Sequence, residues 1–121
     1  MTGLRPSILV VDDDSSLRLL CRVNLELEGF HVREAASADE ARAAVNDARP
    51  DAVLLDVHLR PDGGSLELLD ELRGDGLLVA LVTGSADLDD LRGRADDVLA
   101  KPFLPDALVA TARRLATVAS R

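Results

Sequence analysis

Aromatic side chains are nearly missing from this 121-residue chain: two Phe, no Tyr and no Trp. The core must therefore be aliphatic, and stacking on bases or sugars is not the task. Basic charge is also short. Fourteen Lys and Arg against 22 Asp and Glu leave a net −8. That excludes a general nucleic-acid surface, which needs a basic face to displace counterions from phosphates. It points instead to a bound cation or a basic partner. The single cysteine, Cys21, excludes an intramolecular disulfide and a thiolate zinc cluster; it reads as a small buried hydrophobe. No apolar run approaches the roughly 20 residues of a membrane span. The first run, Ile8–Val11, is too short for a secretion signal. No membrane contact and a cytoplasmic location are expected.

Hydrophobic residues make up 47% and charged residues 30%, the balance of a soluble globular protein. A chain of this length removes roughly 65% of its unfolded surface from water on folding and needs no cross-links. Residues 1–121 are read as a single domain with its core over about 7–118.

Short aliphatic runs alternate with segments of helical period. Ile8–Val11 is the first run and Asp12-Asp13-Asp14-Ser15-Ser16 ends it. Residues 15–28 then carry Leu17, Leu20, Cys21, Asn24 and Leu25 at helical spacing. Ser15 or Ser16 suits the N-cap by type, Asp14 is read as the cap in either case, and Gly29 is a good stop. Phe30–Glu34 alternates as a half-exposed strand does, and a helix from Ser37 or Ala38 runs through Asp47. Ala52–Leu55 is a second run, ending at Asp56; Arg60-Pro61-Asp62-Gly63-Gly64 is turn chemistry, and Ser65 is placed to cap a helix carrying Leu66, Leu69 and Leu72. Leu77–Val82 runs into Thr83-Gly84-Ser85, a short polar segment spans Asp87 to Arg94, and Val98–Ala100 ends at Lys101-Pro102. A last helix covers Pro105 to about Thr117, with Leu104, Leu108, Ala112 and Leu115 in period and Phe103 beneath it.

Strands buried on both faces read as continuous aliphatic runs, and strict strand–helix alternation implies a parallel sheet covered by helices on both sides. Five strands and five helices, the fourth confined to the short polar segment, predict a doubly wound α/β fold of order 2-1-3-4-5. Ligands of such sheets bind beyond the carboxyl ends of the strands where the winding reverses, here between the first and third strands. Four runs end there in chemically able residues: Asp12 and Asp13, Asp56, Thr83 and Lys101. Three carboxylates gathered so closely repel one another and so raise a pKa or hold a cation. Hard oxygen donors at that density suit Mg²⁺. A carboxylate nucleophile, a divalent ion, a Lys and a hydroxyl together fit phosphoryl transfer through an acyl phosphate.

These residues resemble the receiver domain of two-component response regulators. The matching segments are Val10-Val11-Asp12-Asp13-Asp14, Leu54-Leu55-Asp56, Val82-Thr83-Gly84 and Lys101-Pro102-Phe103, and the likeness covers about residues 7–118. It implies a flavodoxin-like receiver fold and Asp56 as phospho-acceptor. It implies Mg²⁺ held by Asp13 directly, by Asp12 through water, by Asp56 and by the backbone carbonyl of His58. It implies Thr83 and Lys101 on the phosphoryl group, and a cis Lys101–Pro102 peptide, a form largely restricted to proline. The implied partner is a sensor histidine kinase or a histidine phosphotransfer protein. The only reactions implied are the chain's own phosphorylation and dephosphorylation. Val98 stands where the family has its switch aromatic, Arg94 where it has Gly, and Arg60-Pro61 where it has Met-Pro. The stretch from Thr83 to Lys101 is also shorter than the family's, which implies a shortened fourth helix.

Beside the phospho-acceptor reading stand two others. A haloacid-dehalogenase-type phosphatase would use Asp12 as nucleophile and Asp14 as general acid, but that family places its acidic pair after the Lys, and Asp96-Asp97 precede Lys101. A receiver-like binding module that no longer switches would explain Val98. The His58 side chain is read as an exposed loop imidazole; the alternative is that its ring, and likewise Ser85, lies near the phosphoryl group and tunes hydrolysis. Asp87, Asp89, Asp90, Asp96 and Asp97 are read as a solvated face.

Overall fold

The structure, a computed structural model, describes residues 5–60, 63–84 and 88–119. Pro61, Asp62, Ser85 and Asp87, singled out above, lie outside them. Strands β1 (Ser7–Val11), β2 (His31–Ala35), β3 (Ala52–Asp56), β4 (Leu78–Gly84) and β5 (Asp97–Lys101) alternate with helices α1 (Ser15–Leu27), α2 (Ala38–Asp47), α3 (Ser65–Gly74), α4 (Leu88–Leu91) and α5 (Pro105–Ala119). All neighbouring strands pair parallel, in the order β2-β1-β3-β4-β5. The expected fold stands, and the fourth helix is a single turn.

The alternation along each strand decides which helix it meets. Ile8, Val10, Val32, Ala52, Leu54, Ala80, Val82 and Leu99 pack with Cys21 and Leu25 of α1 and Leu108, Ala112 and Leu115 of α5. Leu9, Val11, Val53, Leu55, Val79 and Leu81 face Ala41 of α2, Leu68, Leu69 and Leu72 of α3 and Leu91 of α4. Two aliphatic layers thus sandwich the sheet, as the scarcity of aromatics requires. Phe30 is buried and Phe103 partly buried in the first layer.

Local chemistry fixes the helix ends. The Asp14 carboxylate accepts from the Ser16 and Leu17 amides at 2.9 and 3.3 Å, so Asp14, not Ser15 or Ser16, caps α1. The helix closes in a Schellman turn: Gly29, at φ +94°, donates to the Glu26 carbonyl and Phe30 to that of Leu25. Ser37 caps α2, its Oγ accepting from the Glu40 amide, and the Glu40 carboxylate in turn accepts from the Ala36 amide just before the cap. Gly64, at φ +84°, precedes α3, and Ser65 is its first residue rather than its cap. Pro105 starts α5, so Leu104 lies before the helix and is exposed.

Asp96 and Asp97 are not merely a solvated face. The Asp96 carboxylate accepts from the Val79 amide at 2.8 Å and from Arg73, stitching the start of β5 to β4. Asp97 accepts from the Val98 amide at 2.8 Å and pairs with Arg114 at 2.9 Å. Asp89 and Asp90 are exposed as expected.

Cys21 is buried under α1, and that burial, reinforced by the nearby Asp12 charge, pushes its thiol up to about 12 from an ordinary 9.0. A folded pKa above the unfolded one means that the native state holds its proton longer, so stability falls as pH rises between those values. Denaturant midpoints measured from pH 8 upward are expected to hold to about pH 9 and then drop, with a Cys21 contribution of about 1.4 kcal/mol per pH unit. Cys21→Ala removes that part of the slope; an unchanged slope in the variant rejects the assignment.

Candidate functional site

Strand pairing builds the site. Val10 lies beside Leu54, Asp56 beside Val82, and Gly84 beside Lys101. Asp12 follows β1 by one residue, while Asp56 and Lys101 end their strands, so all three emerge on the same edge. Asp12, Asp56, Gly84 and Lys101 continue the alternation of Val10, Leu54, Val82 and Leu99, the α1–α5 side of the sheet. Together with Asp13, Asp14, His58 and Arg60 they line a cavity of about 240 Å³. A larger cleft of about 550 Å³ lies by the amino ends of the strands, lined by Arg5, Phe30, Asp51 and Arg113. It lacks the convergence of carboxylates that marks the smaller one.

The carboxylates of Asp12, Asp13 and Asp56 bring oxygen atoms within 4.8 Å of one another. Asp12 and Asp56 are buried and Asp13 half-buried. Lys101 Nζ lies 3.5 Å from Asp12 Oδ2 and 3.4 Å from Asp56 Oδ1. Burial raises the Asp12 pKa; the bond from the Asp14 amide opposes this, and the Asp56 charge adds to it. Burial would lower the Lys101 pKa, but the Asp12 and Asp56 carboxylates outweigh it and hold the ammonium above its usual value. Three carboxylates and one ammonium leave a formal charge of −2. Hard oxygen donors, a twofold charge deficit and partial access to solvent fit a small divalent cation.

Several contacts hold the acidic groups in place. The Asp56 carboxylate accepts from the His58 amide at 3.2 Å. Ser65 Oγ, buried at the start of α3, donates to the Asp56 carbonyl at 2.6 Å. Sequence reading assigned Ser65 to helix capping and missed this contact, which spans nine residues of chain. His58 is exposed at the cavity mouth. Thr83 is fully buried at the end of β4, one residue past the partner of Asp56, and its hydroxyl donates to the Gly84 carbonyl at 3.3 Å. The sequence brought Thr83 to the right edge; the strand's alternation gives that part of the cavity wall to Gly84. The Lys101–Pro102 peptide is cis, as the resemblance implied. Asp14, which the phosphatase reading makes the general acid, accepts the α1 cap bonds on its Oδ1.

A family profile described as the response regulator receiver domain matches residues 8–113. The DNA-binding response regulator MtrA of Mycobacterium bovis is 39% identical over 118 residues, covering 93% of this chain and 51% of that protein. The chain spans about half the length of the curated relatives it matches. Among solved structures, NtrX from Brucella abortus superposes with a TM-score of 0.89 at 34% identity, covering 97% of this chain and 28% of that one. The receiver domain of the same NtrX gives a TM-score of 0.85 at 36% identity, covering 91% and 98%.

Proposed function

This chain belongs to the response regulator receiver family, and on that premise we propose that Asp56 accepts a phosphoryl group from a phosphohistidine on a sensor kinase or histidine phosphotransfer protein. Residues 7–118 act as one receiver unit. Asp12, Asp13, Asp56 and the His58 backbone carbonyl would hold Mg²⁺, Asp12 through water. An Asp56 carboxylate oxygen attacks phosphorus while the P–N bond to the donor imidazole breaks, its electron pair returning to the ring nitrogen. The product is an acyl phosphate, later hydrolysed at the same site. When bound, the ion would supply positive charge to the phosphoryl oxygens. Lys101 exchanges its Asp56 contact for one phosphoryl oxygen. Thr83 reaches another by turning its hydroxyl away from the Gly84 carbonyl.

Val98, half-buried on β5, has no ring to follow that turn. Altered contacts with a partner protein carry the signal, and the chain turns over nothing besides its own aspartyl phosphate. It works in the cytoplasm, where an ATP-fed kinase would meet it. No nucleic-acid contact is assigned to this chain, whose −8 charge opposes one.

The observation that carries this reading is Lys101 Nζ at 3.4 Å from an Asp56 oxygen that shares its cluster with Asp12 and Asp13. Incubation with a small phosphoramidate or acyl phosphate and Mg²⁺, followed by intact-mass analysis, is expected to add one phosphoryl group. Asp56→Asn, or removal of the metal by a chelator, abolishes the gain. Undiminished incorporation in Asp56→Asn would overturn the assignment.

A further inference from the structure

Arg18 sits on the first turn of α1 and reaches back to the loop that carries the acidic residues. Its Nη1 donates to the Asp12 carbonyl at 2.5 Å and its Nε to Glu34 Oε1 of β2 at 3.0 Å. The Arg18 side chain is only 15% exposed, which makes these contacts stronger than those of a surface pair. The second Glu34 oxygen takes Arg22 Nη1 at 2.7 Å, one helical turn on, and Arg22 Nη2 donates to the Val32 carbonyl at 2.9 Å. The two arginines share one carboxylate but hold different things. Arg22 ties α1 to the middle of β2, whereas Arg18 ties it to the acidic loop.

The Asp12 backbone is thereby held on both sides. Its amide donates to the Ala35 carbonyl at 3.0 Å, and its carbonyl receives Arg18. That carbonyl belongs to the peptide joining Asp12 to Asp13, so fixing its direction fixes the peptide plane and the place of the Asp13 Cα. Before a cation arrives, the crowded carboxylates push one another apart. Asp13 is the least buried of the three and sits on a loop, so it is the one with room to leave.

We propose that Arg18 is a positioning residue for the cation site: by clamping the Asp12–Asp13 peptide against Glu34, it holds the Asp13 carboxylate beside Asp12 and Asp56 while Lys101 alone offsets their charge. The clamp rests on the reading that Mg²⁺ binds this cluster, and it adds a residue outside the donor set to the cost of forming the site. Outer partners that orient metal ligands typically change affinity by about 10- to 100-fold when removed, and the same range is expected here.

Calorimetric titration with MgCl₂ alone, on wild type, Arg18→Met, Arg18→Lys and Arg22→Met, tests this. Arg18→Met is expected to raise the Mg²⁺ Kd by about 10-fold or more, while Arg22→Met, which breaks a contact to the same Glu34, changes it by less than about twofold. Lysine keeps the charge but lacks the fork that reaches both partners, so Arg18→Lys falls between; it also serves if Arg18→Met does not fold. In metal-free protein, hydrogen exchange at the Asp13 and Asp14 amides is expected to quicken in Arg18→Met and not in Arg22→Met. Equal losses in the Arg18 and Arg22 variants, or wild-type affinity in Arg18→Met, overturn the proposal while leaving the cation reading intact. Wild-type protein that binds no Mg²⁺ overturns both.

Discussion

Replacing Asp13 by Asn is expected to make the metal-free protein more stable and nearly blind to Mg²⁺. The two effects have opposite signs and one cause. Three carboxylates within 4.8 Å are opposed by one ammonium; the Asp12 pKa is raised first by burial and then by the Asp56 charge. Removing one negative charge relieves repulsion worth on the order of 1 kcal/mol once solvent screening at half-buried Asp13 is allowed for. The same charge is a direct attraction for a doubly charged ion, so its loss lowers affinity by about 100-fold, or ~2.7 kcal/mol. Such trade-offs are characteristic of sites kept for function rather than stability. Chemical denaturation without metal, paired with Mg²⁺ titration, checks both signs. A variant that is destabilised without metal, or that binds Mg²⁺ as wild type does, contradicts the assignment of Asp13 to the cation.

Lys101→Met is expected to act in the opposite sense on stability and more severely on chemistry. The lost ammonium leaves Asp12 and Asp56, both buried, facing each other across the cavity. Lys101 keeps 32% of its side chain in contact with solvent, so the metal-free cost is held to about 1–2 kcal/mol by screening. The larger effect is on phosphoryl transfer. A fixed donor aimed at developing charge contributes about 100- to 1,000-fold in rate, and methionine fills the space without replacing the charge. Initial rates of incorporation at saturating Mg²⁺ measure this loss. Lys101 is also the chain's single lysine, so its ammonium resonance is resolved without overlap. That resonance should titrate above the usual lysine value in wild type, because the Asp12 and Asp56 carboxylates overcome the opposing effect of burial, and the elevation should shrink in Asp56→Asn.

Most of the architecture was legible because parallel strands buried on both faces leave unbroken aliphatic runs, and each run ended at a polar residue on the same edge. Asp12, Asp13, Asp56 and Lys101 followed from topology alone. What stayed hidden depends on contacts that no local pattern announces. Ser65 has the right type and place for a cap, yet its hydroxyl goes to the Asp56 carbonyl and Gly64 precedes the helix. Arg18 looks like any charged residue on a helix; its value lies in Glu34 and the Asp12 carbonyl, brought near by the β1–β2 pairing. Asp96 and Asp97 read as solvated charge because the Val79 amide and Arg114 are distant in sequence. Thr83 shows a finer limit. The run fixes which edge it reaches, but only the register with β3, which pairs Asp56 with Val82, decides that Gly84 lines the cavity. Leu104 kept the period of α5, but Pro105 begins the helix and leaves that leucine outside it.

The phosphatase alternative and the receiver reading differ in which carboxyl group becomes an acyl phosphate, and that position can be read directly. Borohydride reduces an aspartyl phosphate to homoserine where it stands, leaving free carboxylates untouched. Peptide mass analysis of the chain, phosphorylated in Mg²⁺ and then reduced, is expected to find homoserine at position 56 and intact Asp12, Asp13 and Asp14. Homoserine at position 12, with Asp56 unaltered, would contradict the account at its centre.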